Sequence, residues 1–246
     1  MRKFEHKLKA SHNDLLKKDQ IKNDYVVRVT HNIKGHIAAI TSNLEVVYKQ
    51  IMAPLDAKNK VYIEKAYFRA QKMNEFIYDL LTLTNMRLNN TFEKEQIDII
   101  EVLNSQLCSN KSFAESKKIS LTMDFNILNP IYSGNKSSIE EVIGNLLQNA
   151  IKYTSDGGKV HLQAFSDDNN FSFFVSDTGF GIPETDLPYI FEEFFRASNV
   201  KNTIKDGTGL GLSLVKAIID SHQGTITVES IIGEGTKFTV TLPFID

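Results

Sequence analysis

Glycine placement constrains this chain more than any other feature. Of thirteen glycines in 246 residues, only Gly35 lies before residue 96. Glycine weakens a helix interior by about 1 kcal/mol relative to alanine and permits backbone angles that other residues avoid. A first third almost free of glycine can build long helices; a remainder holding twelve must contain tight turns or close backbone approaches. Charge changes at the same place. Residues 1–95 carry 17 Lys/Arg against 11 Asp/Glu, a net of +6, whereas residues 96–246 carry 11 against 19, a net of −8. The chain therefore reads as two modules that meet in the polar stretch NNTFEKE. The segmentation is a helical lead-in over 1–24, a helical module over 25–91 and an α/β module over 92–246.

Hydrophobic residues make up 41% and charged residues 24%, which suits a packed core and excludes global disorder. A net charge of −2 argues against a general nucleic-acid binder. The single cysteine, Cys108, can form neither an internal disulfide nor a zinc site, which fits a reducing compartment. No apolar run nears the roughly 18 residues needed to span a membrane, and the charged N-terminus has no secretory core. No membrane contact is expected within this chain.

Val26, Val29, Ile33, Ile37, Ile40, Leu44, Val47 and Ile51 fall within about 40° of one line at 100° per residue. A second stripe, Ile63, Ala66, Ala70, Met73, Ile77, Leu80 and Thr84, follows the break at Ala53–Pro54. Two long helices joined briefly form an antiparallel hairpin. Two helices bury little, so the hairpin is expected to pair with a second copy as a four-helix bundle. His31 points about 160° from the seam, toward water. An exposed histidine is usually an ordinary surface residue, yet exposure is what a phosphate-accepting imidazole requires.

The second module reads as strands and helices in alternation: strand Gln96–Ile99, helix Ile100–Ser116, strand Ile119–Phe125, and a helix from Ser137 or Ser138 to Tyr153 with Glu140 and Glu141 in its first turn. Strands Lys159–Ser166 and Asn170–Ser176 follow, joined by the turn DDNN. Helix Leu210–Ser221 closes at Gly224, and strands Thr225–Ser230 and Thr236–Leu242 end the chain. A mixed sheet covered by helices on one face is expected. The aperiodic stretch between Ile182 and Gly207 has glycines at both ends, as a lid would; it also reads as an irregular surface segment.

Three clusters carry chemistry. In NLLQNAIKYT, Asn145 and Asn149 share a helix face near Lys152 and Tyr153. Two amide oxygens and an ammonium suit hydrated Mg²⁺ with polyphosphate, although an Asn pair alone is equally a solvated face. In DTGFGI, Asp177 at a strand end can accept from an amino group, and Gly179 and Gly181 permit close approach. In GTGLGLSLVKAI, glycines lead into a helix N-terminus, where free amides favour phosphate. It is neither a P-loop nor a Rossmann turn. The joint order of these pieces is far more specific than any one of them.

In that order the chain resembles the catalytic core of two-component sensor histidine kinases. THNIKGHIAAI resembles the phosphoacceptor box, NLLQNAIKYT the N box, DTGFGI and GTGLGLSLVKAI the two glycine boxes, FEEFFRAS the F box and GEGTKFTVTLP the terminal strands. The resemblance implies a dimerisation and histidine phosphotransfer domain over 25–91 and a Bergerat-type ATP-binding α/β sandwich over 92–246. It implies ATP and Mg²⁺ as cofactors, with Asn145 and Asn149 toward the metal, Lys152 toward phosphate, Tyr153 near adenine and Asp177 reading the adenine amino group. Gly179 and Gly181 would allow close approach, and Arg196 would anchor the lid. Gly207, Thr208, Gly209, Leu210 and Gly211 would line the triphosphate. The γ-phosphoryl group would pass to His31 and then to an aspartate of a response-regulator receiver domain. A homodimer is implied, and a cytoplasmic location, either as a soluble kinase or as part of a membrane-anchored receptor.

Three residues depart from the family pattern. Asn32 stands where Glu or Asp usually accepts a proton, and it cannot act as a base. Gly35 replaces the Thr or Asn linked to phosphatase action, and His36 replaces a common proline. The expectation is slower autophosphorylation or another base, and little phosphatase action. The alternative is an ATP-binding dimeric pseudokinase that engages a regulator without efficient autophosphorylation. A gyrase-type ATPase lacks support, since such chains do not place a helical hairpin with an exposed histidine before the nucleotide domain.

Overall fold

A computed structural model of the chain describes residues 33–35, 37–48, 57–88, 94–201 and 207–244. The chain divides into two units, Met1–Asn89 and Asn90–Asp246. His31, Asn32 and His36 lie outside the described residues, as do Val26, Val29, Ile51 and the lead-in over 1–24.

In the first unit, residues 33–35 and 37–46 are helical and 47–48 widen into a π turn; this is α1. Helix α2 is Ala57–Leu88. Asn74 Nδ2 donates to Thr41 Oγ1 at 2.9 Å, and Tyr48 stacks on Tyr67 with ring centroids 5.0 Å apart. These pairs progress in opposite senses along the two helices, so α1 and α2 form the antiparallel hairpin that the stripes predict. Ala70, Ile77 and Thr84 are buried, whereas Ile33 and Ile40 remain 42% and 48% exposed and Met73 45%. One hairpin covers only part of each apolar stripe.

The second unit holds helices α3 (Ile99–Ser116), α4 (Lys136–Tyr153) and α5 (Gly211–Ser221). Its main sheet has the order β2-β4-β5-β7-β6, formed by Ser120–Asn126, Lys159–Ser166, Asn170–Asp177, Gly235–Pro243 and Thr225–Ile231. β2 runs parallel to β4, and the other neighbours are antiparallel. Alternation decides which face is covered. Val160, Leu162 and Ala164 of β4, Phe171, Phe173 and Val175 of β5, and Val240 and Leu242 of β7 are buried. They meet Ile143, Leu146, Leu147 and Ile151 of α4 and Leu214 and Ile218 of α5, buried likewise. Each of these Val, Leu, Ile and Phe side chains contributes about 2 kcal/mol by leaving water. The opposite face carries polar residues, with Lys237 Nζ 4.6 Å from the Phe174 ring centroid. The mixed sheet with helices on one face is the expected architecture.

Several local expectations need correction. Ile99 opens α3 rather than ending β1 (Glu95–Asp98), because Asp98 caps the helix: its Oδ1 accepts from the amides of Ile100 and Glu101 at 2.9 and 3.2 Å. Helix α4 starts at Lys136, since Asn135 Oδ1 accepts from Ser138 N at 2.9 Å. Glu140 and Glu141 therefore lie beyond its first turn. The short strand β3, Ile131–Gly134, has no strong sequence signal and pairs antiparallel with β1. After α5 the left-handed residue is Gln223, at φ 57°. Gly224 is needed instead for space, as a Cβ there would stand 2.6 Å from Thr241 O. Among the described residues no helix is long and apolar enough to cross a membrane.

Candidate functional site

The site is built on the end of α4. A helix terminus leaves its last carbonyls without intrahelical partners. Here they are shared between two donors. Lys117 Nζ, at the end of α3, donates to Ile151 O at 2.8 Å and Lys152 O at 3.0 Å, and also to Thr154 O. Phe180 N takes the remaining Tyr153 O at 3.1 Å. Burial lowers the Lys117 pKa, opposed by the charge of Asp156.

The second of those donors hangs the DTGFG loop on α4. Asp177 ends β5, and its Oδ1 accepts from Gly179 N at 2.8 Å. Burial pushes its carboxyl up to about 6, against the opposing pull of the Gly179 and Thr236 amides. Gly179 is required by crowding: a Cβ would run into Tyr153 O and stand 2.7 Å from Asp177 Oδ1. Gly181 has φ 65° and meets the backbone of Ile231, so it seats the loop on the β6–β7 turn.

The segment 207–211 runs back past the same helix. A Cβ on Gly207 would lie 2.7 Å from Lys152 Nζ and 3.8 Å from the Tyr153 hydroxyl. Gly209, at φ 74°, abuts Phe194, and its carbonyl accepts from Phe194 N at 2.9 Å. A Cβ on Gly211 would stand 2.6 Å from Asn145 Oδ1. Leu210 is fully buried and precedes α5, whose N-terminus has no side-chain cap. Thr208 Oγ1 accepts from Leu210 N at 3.2 Å. The first amides of α5 thus remain available to an anion.

On α4, Asn145 Nδ2 donates to Glu141 Oε1 at 2.7 Å and to Glu141 O at 3.1 Å. Burial raises the Glu141 pKa, while the Asn145 hydrogen bond lowers it. Asn149 lies half-buried one turn on. Lys152 Nζ sits 5.1 Å from the Tyr153 ring centroid. Burial raises the Tyr153 hydroxyl pKa, and the positive charge of Arg196 pulls it back.

The stretch expected to act as a lid is anchored through residue 201. It contains a short 3-10 turn, Leu187–Tyr189. Asp186 Oδ2 accepts from Ser198 N at 2.7 Å and Ser198 Oγ at 2.8 Å, which holds its pKa below the usual value. Asn199 Nδ2 donates to Gly181 O at 2.8 Å.

The structure thus gathers Asn145, Lys152, Tyr153, Asp177, Gly179, Arg196, Gly207, Gly209 and Gly211 around the C-terminal half of α4. Sequence reasoning missed Lys117, Asp186 and the role of Glu141. Glu141 had a signal, a carboxylate four residues before Asn145 on one helix face; Lys117 and Asp186 act on residues too distant for a local pattern. Together the site offers a half-buried acceptor at Asp177, an ammonium at Lys152, an amide oxygen at Asn145 and an uncapped helix start. That donor and acceptor set suits a ligand with an amino-bearing base at one end and phosphates at the other. Among the described residues no cluster of three or more His, Cys, Asp or Glu is placed to hold a metal ion by itself.

Residues 134–246 match the family described as histidine kinase-, DNA gyrase B-, and HSP90-like ATPase. Sensor histidine kinase RppB of Synechocystis sp. is 28% identical over 225 residues, covering 91% of this chain and 49% of that protein. Sensor protein SrrB of Staphylococcus aureus is 27% identical over 227 residues, covering 92% and 38%. The chain spans less than half the length of these relatives. Among solved structures, the catalytic domain of histidine kinase ThkA has a TM-score of 0.54 at 28% identity, covering 62% of this chain and 97% of that one. Full-length ShkA in complex with AMPPNP shares the fold, with a TM-score of 0.75 at 21% identity over 90% of this chain and 46% of that one. The relatives match over most of the chain and the ATPase family over residues 134–246, and together they support a sensor histidine kinase catalytic core.

Proposed function

We propose that the α/β unit binds ATP with Mg²⁺ and that the γ-phosphoryl group is transferred to a ring nitrogen of His31, then to an aspartate of a response-regulator receiver domain. The reading is supported above all by the placement of Asp177, Lys152, Asn145 and the uncapped start of α5 along the C-terminal half of α4. Asp177 accepts from the adenine amino group, and Tyr153 packs beside the base. Lys152 and the α5 amides meet the phosphates, with Gly207, Thr208, Gly209, Leu210 and Gly211 giving the backbone room to approach. Asn145 and Asn149 face the cation. Mg²⁺, when bound, neutralises the phosphate charge. Arg196 holds the segment that follows the 3-10 turn against the Tyr153 ring.

The acceptor must be neutral imidazole, which histidine supplies near pH 7. The P–N bond forms as the bond between the γ-phosphorus and the β-phosphate oxygen breaks, ADP leaves, and the proton on the other ring nitrogen passes to solvent water. Asn32 has no basic lone pair to take that proton. Exposed Ile33, Ile40 and Met73 support a homodimer in which a second hairpin covers them. Use of ATP and a receiver domain supports a cytoplasmic location for this part of the protein.

Asn32 also favours a second reading, an ATP-binding dimeric scaffold that engages a regulator without efficient autophosphorylation. Incubation with γ-labelled ATP and Mg²⁺ separates the two. Acid-labile, base-stable label that disappears in His31→Gln supports the kinase, and a higher rate in Asn32→Asp identifies the missing base. ATP binding without label supports the scaffold.

A further inference from the structure

We propose that Glu141 is the positioning residue that sets which way the Asn145 carboxamide faces, and so makes Asn145 Oδ1 available to the cation of the bound nucleotide. The inference rests on the nucleotide reading above and extends it to a residue outside the boxes that carry the family resemblance.

A carboxamide has a donor end and an acceptor end, and a half-turn about its last torsion exchanges them. Only the acceptor end can meet a cation. Both groups that Glu141 offers, its carboxylate and its main-chain carbonyl, only accept hydrogen bonds. Asn145 Nδ2 donates to both, at 2.7 Å to Oε1 and 3.1 Å to O. The main-chain contact would persist with any residue at 141. The shorter, charge-assisted bond to the carboxylate is the stronger one and is peculiar to glutamate at this place. With Nδ2 held there, Oδ1 faces the start of α5, 2.6 Å from where a Cβ on Gly211 would be. That is the uncapped helix end expected to receive phosphate. A reversed carboxamide would aim its N–H donors at that end and repel a cation. The i, i+4 spacing on α4 places the two side chains on one face, and the packed start of α5 leaves Asn145 little room to turn away.

The test is calorimetric titration of the full chain with a non-hydrolysable ATP analogue, in Mg²⁺ and in EDTA, on the wild type, Glu141→Leu, Asn145→Ala and the double variant. The readout is the gain in affinity that Mg²⁺ confers. Glu141→Leu should reduce that gain about tenfold or more, the scale of one lost charge-assisted hydrogen bond, and leave affinity in EDTA within about twofold. Asn145→Ala should reduce the gain at least as much, and adding Glu141→Leu to it should change nothing further. Glu141→Gln keeps the volume but accepts either orientation of the carboxamide; it should show a smaller loss of the same kind, and it stands in if the leucine variant does not fold. An unchanged Mg²⁺ gain in the Glu141 variants would overturn the proposal while the nucleotide reading stands. So would equal losses with and without Mg²⁺, or additive losses in the double variant, either of which would mark a structural role. No Mg²⁺-dependent binding by the wild type would overturn both.

Discussion

Lys117 Nζ donates to the carbonyl of Ile151 at 2.8 Å across 34 residues of sequence. This contact and its neighbours on Lys152 and Thr154 hold the helix end that bears Lys152 and Tyr153. Lys117→Met keeps most of the stem and removes the donor, leaving main-chain carbonyls unpaired. The expected cost is about 1–3 kcal/mol. Urea denaturation followed by circular dichroism should show it, and hydrogen exchange of the amides at 179–181 should accelerate as the DTGFG loop loosens. Unchanged exchange would show that the Phe180 bond to Tyr153 O suffices alone.

Asp177 carries a carboxyl raised to about 6, chiefly by burial. A raised carboxyl binds its proton more tightly in the folded chain than in the unfolded one. The favourable contribution is complete below the unfolded value of 3.8 and is lost as pH rises through about 6. At pH 7 the ionised, partly buried group therefore weakens the ligand-free fold. Asp177→Asn should stabilise the chain at pH 7 by on the order of 1–2 kcal/mol and have little effect at pH 4. Denaturation curves at the two pH values check the sign.

His222 shows the opposite dependence. It is 2% exposed, its Nδ1 bonds Ile218 O at 2.8 Å, and its Nε2 accepts from Asn135 N at 3.3 Å. It therefore ties the end of α5 to the cap of α4 as a neutral ring. Burial first, and Lys94 also, lower its pKa below 6.5, with the Ile218 bond opposing. Its contribution is present above 6.5 and is lost as pH falls toward the lower folded value. Protonation would aim an Nε2–H at the Asn135 N–H. His222→Gln should be less stable than the wild type at pH 7.5, and the difference should shrink as pH falls to 5. A constant difference would show that His222 acts by packing alone, against Tyr132 with ring centroids 6.3 Å apart.

Much of the nucleotide unit could be read from sequence because its signals are local. The alternation over Lys159–Ser166 and Asn170–Asp177 and the DDNN turn are such signals: Asp167 Oδ1 accepts from Asn169 and Asn170 amides at 2.7 Å. So is the helix that carries Asn145, Asn149 and Lys152. What was not legible depends on distant partners. Ile131–Gly134 is four residues long and becomes a strand only through β1. Asp186 finds Ser198 twelve residues away. Gln223 takes the left-handed angle that the adjacent Gly224 suggested for itself. The hairpin stripes predicted α1 and α2, yet periodicity alone does not divide Ala70 and Ile77, buried in one chain, from Ile40 and Met73, left exposed.

That division bears on assembly. Ile40, 48% exposed in a single chain, should become buried between copies. Ile40→Asp would then place a charge in an apolar seam and shift sedimentation from dimer to monomer, with at least a tenfold rise in the dissociation constant expected for several kcal/mol of desolvation. Equal sedimentation of variant and wild type would remove the seam from the interface.

ATP titration of the wild type against Asp177→Asn, in Mg²⁺ at pH 7.5, separates a nucleotide site at Asp177 from a site elsewhere. One site per chain is expected, with affinity reduced more than about tenfold in Asp177→Asn, the scale of a lost hydrogen bond to a charged group, while the variant stays folded. Equal affinity in the two proteins, or no uptake by the wild type, would contradict a nucleotide site at Asp177.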